Sequence, residues 1–269
     1  MTGGRLFKIY AIAYLVFLYA PIMLLPIFAF NDGTIISFPL QGFTTKWFEA
    51  MFGNATLHKA VKNSLIIASS SAVLATCLGI FTARAVTRYN FPAKGGIVGL
   101  VMLPLVLPEI IVAVSLFGVL LGLGIPLSIW TVILGHVLIC TPYTVAILNS
   151  AFQSLDRSLE EAAYDLGESR WSTFRLIILP LVAPGIVSSL LISFTISLDE
   201  FIIAFFLAGT EPTLPVYIFS QFRFPQAVPV IMALGTLLVL LSIVLLAVAE
   251  YFRRRGIAKS GGKDTGGFL

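Results

Sequence analysis

The chain has 269 residues, of which 58% are hydrophobic and only 11% are charged, and its mean hydropathy is +0.99. Soluble domains carry about 25% charged residues, so this composition excludes a soluble globular protein and indicates that lipid surrounds most of the chain. The net charge of +4 does not indicate nucleic-acid binding, because the basic residues stand between apolar runs rather than on one face of a soluble module.

Six apolar runs are long enough to cross a bilayer, whose hydrocarbon core of about 30 Å needs about 20 helical residues. They cover residues 9–30, 61–86, 97–122, 127–151, 174–207 and 228–250. The first run is too long for a signal-peptide core and lacks a small-x-small cleavage site, so we predict a retained anchor. The fifth run exceeds one span, which indicates a tilted helix or a break, and Pro180 and Pro184 would supply a break because proline removes a helix hydrogen bond. The predicted fold class is an all-α membrane protein with six transmembrane helices in a single domain, residues 1–255.

The basic residues set the expected orientation of the chain. With a cytoplasmic N-terminus and six crossings, 13 of the 17 Lys and Arg residues lie in inside segments. Only four lie outside, namely Lys46, Lys59, Lys62 and Arg223. The positive-inside rule therefore predicts that both termini are cytoplasmic. The polar, glycine-rich segment 256–269 has no periodicity, and we predict that it is a disordered cytoplasmic tail.

The sequence offers no pattern for a metal site, a cofactor or catalysis. Cys77 and Cys140 lie inside apolar runs, and His58 and His136 are far apart in sequence, so neither a disulfide framework nor a metal site is expected. The chain also lacks the G-x-x-x-x-G-K-[ST] pattern that binds ATP. An intramembrane enzyme is disfavoured, because we expect no His, Asp and Ser residues to converge within the spans.

The inside loop between the fourth and fifth runs contains a predicted short amphipathic helix. Ser158 and Glu161 fit a capping box, and Gly167 fits a left-handed C-cap. The predicted apolar face consists of Leu155, Leu159, Ala162, Ala163 and Leu166, and the polar face of Asp156, Glu160, Glu161 and Asp165. Helices that lie on lipid usually carry Lys and Arg on their polar face, so this acidic helix is better explained by docking against another protein.

The same loop carries a recognisable motif. Glu161-Ala162-Ala163 is followed by three residues and Gly167, and nine residues later by Ile177-x-Leu179-Pro180. This pattern resembles the EAA motif of ABC-importer permeases at every defining position. The resemblance implies that the loop helix is a coupling helix seated in a cleft of an ATPase subunit. It also implies a second permease, two cytoplasmic subunits that bind ATP and Mg²⁺, and an extracytoplasmic substrate-binding protein, all assembled at the inner (plasma) membrane.

Three carboxylates lie deep in predicted spans, where ionisable residues are costly and usually functional. Glu109 lies in the third run, and Asp199 and Glu200 lie in the fifth. No Lys or Arg lies in the middle of any run, so a cationic cargo is one interpretation. The alternative is that the carboxylates bond backbone groups freed by prolines or face arginines of a partner. For Glu109 both interpretations stay open, whereas the adjacent pair favours function, since only one of the two can face each direction.

Further stretches, 42–48, 103–111, 197–206 and 213–220, resemble spermidine/putrescine permeases of the PotC type and their putrescine-specific relatives. The resemblance runs from about residue 9 to residue 255. It implies a polyamine path formed by Trp47, Glu109, Ser197, Asp199 and Glu200. The chain has Glu at 109 and 200, where these permeases often have Asp. Trp47 and Tyr217 suit stacking on a cation, or equally a place in the interfacial aromatic belts.

The leading hypothesis is therefore a polyamine permease subunit of an ABC importer, which is not itself an enzyme. One alternative is an ABC permease for another small solute. A second is an ion-coupled secondary carrier that uses Glu109 and Asp199. The complete EAA spacing argues against the carrier, as does the small number of spans for a two-fold repeat transporter.

Overall fold

The computed structural model describes residues 3–260 of the chain. Every element of regular secondary structure within this range is a helix. The α-helices are α1 (Gly3–Ala29), α2 (Lys46–Phe52), α3 (Ala55–Arg88), α4 (Lys94–Met102), α5 (Glu109–Gly122), α6 (Ile129–Gln153), α7 (Ser158–Asp165), α8 (Arg170–Thr173), α9 (Leu179–Asp199), α10 (Ile202–Leu207), α11 (Leu214–Gln221) and α12 (Val228–Ser260). Five helical segments are long and apolar enough to cross a membrane, and a bent pair of helices makes a sixth candidate. The predicted all-α membrane class is confirmed.

The third predicted span, 97–122, is a bent pair of helices and not one continuous helix. The segments Lys94–Leu105 and Glu109–Gly122 meet at an angle of 104°. Proline explains the break: Pro108 has extended backbone angles (φ −56°, ψ 128°) and lacks the amide proton that a continuous helix would use. Glu109 consequently becomes the first residue of α5 rather than a residue in the middle of a helix.

The fifth predicted span breaks at a different place from the prediction. Helix α9 runs through Pro184 without interruption, and Pro180 lies in its first turn, directly after a π-helical segment at Phe174–Ile178. Proline is tolerated in a first helical turn, and the wider π-helical turn accommodates it. The helix instead ends at Asp199, because Glu200 has an extended backbone (φ −69°, ψ 120°) before α10 begins.

The chain divides into two compact units, one formed by Met1–Ala55 with Ile218–Leu269 and the other by Thr56–Tyr217. In the first unit, α12 packs against both α1 and α2. Helix α12 continues to Ser260, which corrects the prediction that residues 256–260 are disordered. Arg and Ala, both strong helix formers, occur in its last turns. The rest of the predicted tail, residues 261–269, lies outside the described residues.

Helix α6 is the centre of the second unit. It packs against α9, α10 and the segment around Pro104, and 61% of its membrane-length window is buried, compared with 39% for α3. The core around it is apolar and includes Ile67, Ala75, Val132, Ile133, Ile139, Ile203 and Leu207. The position of α6 decides which side chains of α9 and α10 turn inward.

Helix α3 contacts neighbouring elements of the second unit near both of its ends. At its start, Lys59 Nζ lies 2.9 Å from Glu211 Oε2, and the amide of Asn63 donates to the carbonyl of Pro212 at 3.0 Å. Near its end, Gly79 faces α6, and the Thr144 hydroxyl of α6 donates to the Ala75 carbonyl at 2.9 Å. A Cβ atom at Gly79 would lie only 2.5 Å from Thr144 Oγ1, so the two helices are as close here as a glycine permits.

We therefore predict that Gly79→Val destabilises the second unit by about 1–3 kcal/mol, because overpacking forces helices apart. The matched control is Gly118→Val in α5, where a Cβ atom would meet nothing within 4 Å in this chain. Thermal unfolding of the purified protein in detergent measures the difference. Equal midpoints for the two variants would contradict the close crossing of α3 and α6.

Candidate transport path and docking helix

An open cleft of about 580 Å³ in the second unit brings the three predicted carboxylates together. Its lining includes Glu109, Asp199 and Glu200, with Tyr143 and Thr195 beside them. Both Glu109 and Asp199 are exposed, and each stands at a helix break: Glu109 begins α5, and Asp199 ends α9. The last carbonyl groups of an α-helix lack partners within the helix and form its negative end, so the end of α9 adds to the negative character of the cleft.

Glu200, the third predicted carboxylate, turns away from Asp199 and into the protein. It is 7% exposed. Its carboxylate accepts hydrogen bonds from the backbone N–H groups of Ile203, at 3.0 Å, and Ala204, at 3.1 Å. His136 Nε2 lies 3.2 Å from Glu200 Oε2. Glu200 therefore caps the first turn of α10, and most of its hydrogen-bonding capacity is used within the chain.

Ser197 also lies behind the cleft. It is 3% exposed, and its hydroxyl oxygen lies 2.7 Å from His136 Nδ1. Ser197, His136 and Glu200 thus form a connected set within the spans, which corrects the expectation that no such residues converge. The sequence analysis assigned no role to His136. Its position in an apolar run, where a polar side chain needs a partner, was the feature that could have indicated one. The set is no hydrolytic site, because the hydroxyl is buried and the carboxylate caps a helix.

The two predicted aromatic residues lie in different surroundings. Trp47 belongs to the first unit, where its indole N–H donates to the carbonyl of Asn31 at 2.7 Å. The ammonium group of Lys46 lies over the indole ring, 4.6 Å from its centre. Tyr217 belongs to the second unit and is 5% exposed.

Helix α7 is the predicted loop helix, with one correction at its start. The side chain that caps it is Asp156, whose Oδ1 accepts from the N–H of Ser158 at 3.0 Å, so Ser158 is the first helical residue and not the cap. At the other end Gly167 adopts the left-handed conformation, with φ +88°. The Glu168 N–H donates to the carbonyl of Ala163 at 3.0 Å, which closes a Schellman turn.

The faces of α7 differ from the predicted division into apolar and acidic. Glu160 is buried, and its carboxylate accepts from both terminal nitrogens of Arg84 and from Arg88 Nε, the latter at 2.6 Å. The hydrogen bonds from Arg84 lower the pKa of Glu160 against the opposing effect of burial. Glu160 and Glu161 are adjacent, so the sequence alone does not show which of them faces the rest of the chain. The two arginines of α3 turn Glu160 inward.

The exposed face of α7 combines apolar side chains with the motif glutamate. Leu159 is 41% exposed and Leu166 is 86% exposed, and Ala162 and Glu161 are exposed between them. Ala163, by contrast, is buried against the chain. Two large apolar side chains on a short solvent-facing helix suit contact with another protein.

We predict that Glu160→Gln loosens α7 from α3, since two arginines then lose their carboxylate. Breaking a buried ion pair costs about 3–5 kcal/mol. Trypsin should cut faster at Arg157 in membranes that carry this variant than in the wild type. Because the pKa of Glu160 is lowered, wild-type protection should persist above pH 4.5, its ordinary value, and be lost as the pH falls through its folded pKa. Glu168→Gln, at an exposed glutamate of the same loop, is the control and should leave the cleavage rate unchanged.

Membrane-length helices, a cleft lined by acidic side chains and a short exposed helix are features of an integral membrane transport subunit. A family model, the binding-protein-dependent transport system inner membrane component, matches residues 75–256. This is more than half of the chain, and the chain therefore belongs to that family. It is a multi-pass protein of the inner membrane and a component of a transport system that depends on a binding protein.

Similar proteins cover nearly the whole chain. Over 256 residues the chain is 37% identical to the spermidine/putrescine transport system permease protein PotC of Haemophilus influenzae, covering 95% of this chain and 97% of the relative. It is 34% identical to PotC of Escherichia coli strain K12 over 94% of each chain. It is 37% identical to the putrescine transport system permease protein PotI of the same strain, over 82% of this chain and 81% of the relative.

Solved structures share the fold. A chain of a bacterial ABC transporter that imports the acidic polysaccharide alginate superposes with a TM-score of 0.73 at 15% identity, covering 94% of this chain and 98% of that one. A second structure of a bacterial alginate transporter, in complex with an alginate pentasaccharide-bound periplasmic protein, gives a TM-score of 0.69 at 20% identity. These likenesses establish the permease fold.

Proposed function

We propose that this chain is a permease subunit of an ATP-driven ABC importer that moves a polyamine, such as putrescine or spermidine, into the cytoplasm. The observation that carries the proposal is the placement of Glu109 and Asp199 on one cleft, each at a helix break. The similarity to the spermidine/putrescine permease PotC and the putrescine permease PotI supports the same cargo. The proposed donor of the cargo is an extracytoplasmic substrate-binding protein.

The chemistry of the cleft suits an elongated cation. Carboxylates that share one cleft suit the ammonium groups of a diamine, and no Lys or Arg belongs to the lining described for this cleft. The phenol ring of Tyr143 offers a face for a methylene or ammonium group. Broken helices that present their ends to a cleft are a common way to bind ions within a membrane protein. Bound this way, the cargo supplies the positive charge that the carboxylates lack.

The other predicted path residues divide between contact and support. Burial of Ser197 supports a role behind the wall of the cleft, whereas Glu200 belongs to the lining but is 7% exposed and bonded to α10. Burial of Tyr217 likewise favours packing over direct contact with the cargo. Trp47 stays a proposed cargo contact on the resemblance to the polyamine permeases, although Lys46 already covers one face of its ring.

The proposed assembly places α7 and both termini in the cytoplasm. Support comes from the basic residues, 13 of 17 of which fall on that side. A second permease completes the pathway, and two ATPase subunits bind ATP and Mg²⁺, so this chain itself holds no cofactor. The proposed ATPase contact consists of Glu161, Ala162, Ala163 and Gly167 of the motif, with Leu159 and Leu166 beside them. Of these, Glu161, Ala162, Leu159 and Leu166 are exposed for docking, whereas Ala163 and Gly167 shape the helix.

The proposed mechanism is alternating access. ATP-driven closure of the two ATPases moves α7 of each permease, and the Glu160 ion pairs carry that movement to α3. The permease pair then opens its cleft to the loaded binding protein. Hydrolysis resets the pair, and the cargo leaves towards the cytoplasm.

Docking predicts a specific defect for Leu166→Glu. This side chain is 86% exposed, so the change should leave insertion and folding intact while placing a charge in the proposed apolar contact. We expect about tenfold less ATPase to co-purify with the variant, which corresponds to about 1.4 kcal/mol. The amount of permease in the membrane is the control. Undiminished ATPase recovery would show that this face of α7 is not the docking surface.

The cargo proposal predicts that Asp199→Asn and Glu109→Gln each reduce uptake of labelled putrescine by about tenfold, or about 1.4 kcal/mol. Both changes preserve size and remove charge. The trivalent spermidine should suffer more than the divalent putrescine, because more of its charge needs a counter-ion at once. Cells that contain the whole importer are required for this measurement.

Two controls make this experiment decisive. Glu168→Gln removes a carboxylate from the exposed loop and should not change uptake. Recovery of the assembled subunits should be equal for all variants. Normal polyamine uptake by both cleft variants would make these carboxylates structural and favour a permease for another small solute. Uptake without any associated ATPase would favour the ion-coupled carrier.

A further inference from the structure

We infer that His136 is a positioning residue for the transport path: it holds the break between α9 and α10 so that Asp199 faces the cleft. This inference rests on the proposed function of the cleft, and it adds a residue and a division of labour between two adjacent acids. Its basis is a single buried imidazole that contacts the chain on both sides of the break.

The contacts of His136 join three helices of the second unit. The residue lies on α6 and is 1% exposed. Its Nδ1 atom is 2.7 Å from the Ser197 hydroxyl, on α9 before the break. Its Nε2 atom is 3.2 Å from Glu200 Oε2, after the break. The Nδ1 atom is thus hydrogen-bonded to the Ser197 hydroxyl, whereas Nε2 contacts the Glu200 carboxylate by proximity alone, outside hydrogen-bond geometry.

These contacts determine the direction of Asp199 because the two acids are consecutive. Asp199 ends α9 and Glu200 has an extended backbone, in which successive side chains point to opposite sides, so fixing one acid sets the direction of the other. Glu200 is fixed inward by the N–H groups of Ile203 and Ala204 and by His136. With Glu200 fixed inward, Asp199 is left on the cleft.

Close packing beside His136 keeps the break in place. A Cβ atom at Gly135 would lie 2.4 Å from Ile203 Cγ2 and 3.0 Å from Leu207 Cδ1. Helix α10 therefore rests directly on the backbone of α6, one residue before the histidine. The Glu200 carboxylate, which caps α10, is consequently held at a fixed height along α6.

The energetic argument assigns Glu200 to the protein rather than to the cargo. A carboxylate 7% exposed among membrane-length helices is costly unless hydrogen-bond donors replace water, and here two backbone N–H groups and an imidazole face it. Glu200 is among the residues that line the cleft, but its carboxylate already accepts from two backbone N–H groups of α10, whereas Asp199 is exposed. Changes at Ser197 or Glu200 should therefore act on transport through the position of Asp199.

The test compares His136→Leu, which removes both contacts, with His136→Gln, which retains a donor and an acceptor. Putrescine uptake is measured in cells with the whole importer. We expect His136→Leu to raise KM about tenfold at an unchanged amount of assembled importer, and His136→Gln to stay within about threefold of the wild type. His58→Gln, at the exposed second histidine, is the matched control and should have no effect.

A double-mutant cycle separates positioning from general support. If His136 acts through Asp199, His136→Leu should add less than about twofold to KM once Asp199→Asn is present, because interacting residues are not additive. Independent, multiplied effects would overturn the inference, as would equal defects in the Leu and Gln variants. If His136→Leu does not accumulate in the membrane, Ser197→Ala is used in its place in the same cycle, because it removes the contact between the Ser197 hydroxyl and His136 Nδ1.

A labelling experiment keeps this inference distinct from the cargo proposal. In a Cys77→Ser background, which removes the exposed native cysteine, Asp199→Cys should react readily with a charged thiol reagent. Adding His136→Leu should slow that reaction about tenfold. If Asp199→Asn leaves uptake normal, the cargo proposal fails, and the labelling rate alone decides the positioning role. An unchanged rate would overturn it.

Discussion

Burying the Glu200 carboxylate among apolar helices requires that donors within the chain replace water, and the second unit is arranged around that requirement. The donors are the Ile203 and Ala204 N–H groups in the first turn of α10, and His136 Nε2 of α6 lies 3.2 Å from the carboxylate, which is thereby held where α9 ends and α10 begins. The end of α9 then places Asp199 on the cleft opposite the start of α5. The acidic cleft is thus a product of a helix break, and the break is stabilised by a buried acid.

The same arrangement occurs at the docking helix. Glu160 and Glu161 are adjacent, as are Asp199 and Glu200, and in each pair one acid turns inward while the other stays exposed. The inward acids contact basic or imidazole side chains of another element, Arg84 and Arg88 in one case and His136 in the other. In both places the buried acid makes contacts within the chain, and the next or preceding acid stays exposed.

Local patterns in the sequence were sufficient for the class of fold and for the Gly167 turn, because apolar length and a glycine at a helix end act through the nearby chain alone. They were insufficient wherever a distant residue decides. Glu160 fits the polar face of an isolated helix, and only Arg84, 76 positions away, turns it inward. The prolines also misled: Pro184 suggested a break in the fifth run, yet the chain breaks at Glu200, where side-chain partners on α6 and α10 outweigh local preference. Pro108 does break the third run, but its 104° bend follows from packing that no apolar run reveals.

Helix α3 has 34 residues, which at 1.5 Å each give a rod of about 51 Å, well beyond the roughly 30 Å of a hydrocarbon core. It carries Lys59 against Glu211 near one end and Arg84 and Arg88 against Glu160 near the other. Helix α3 is thus longer than the hydrocarbon core is thick, and ion pairs hold it near both ends, so it can move as one rigid body. Because α3 is one unbroken helix, a tilt imposed at the α7 end also moves the end that carries Lys59. In the proposed orientation, a single rigid helix thus links the two sides of the membrane.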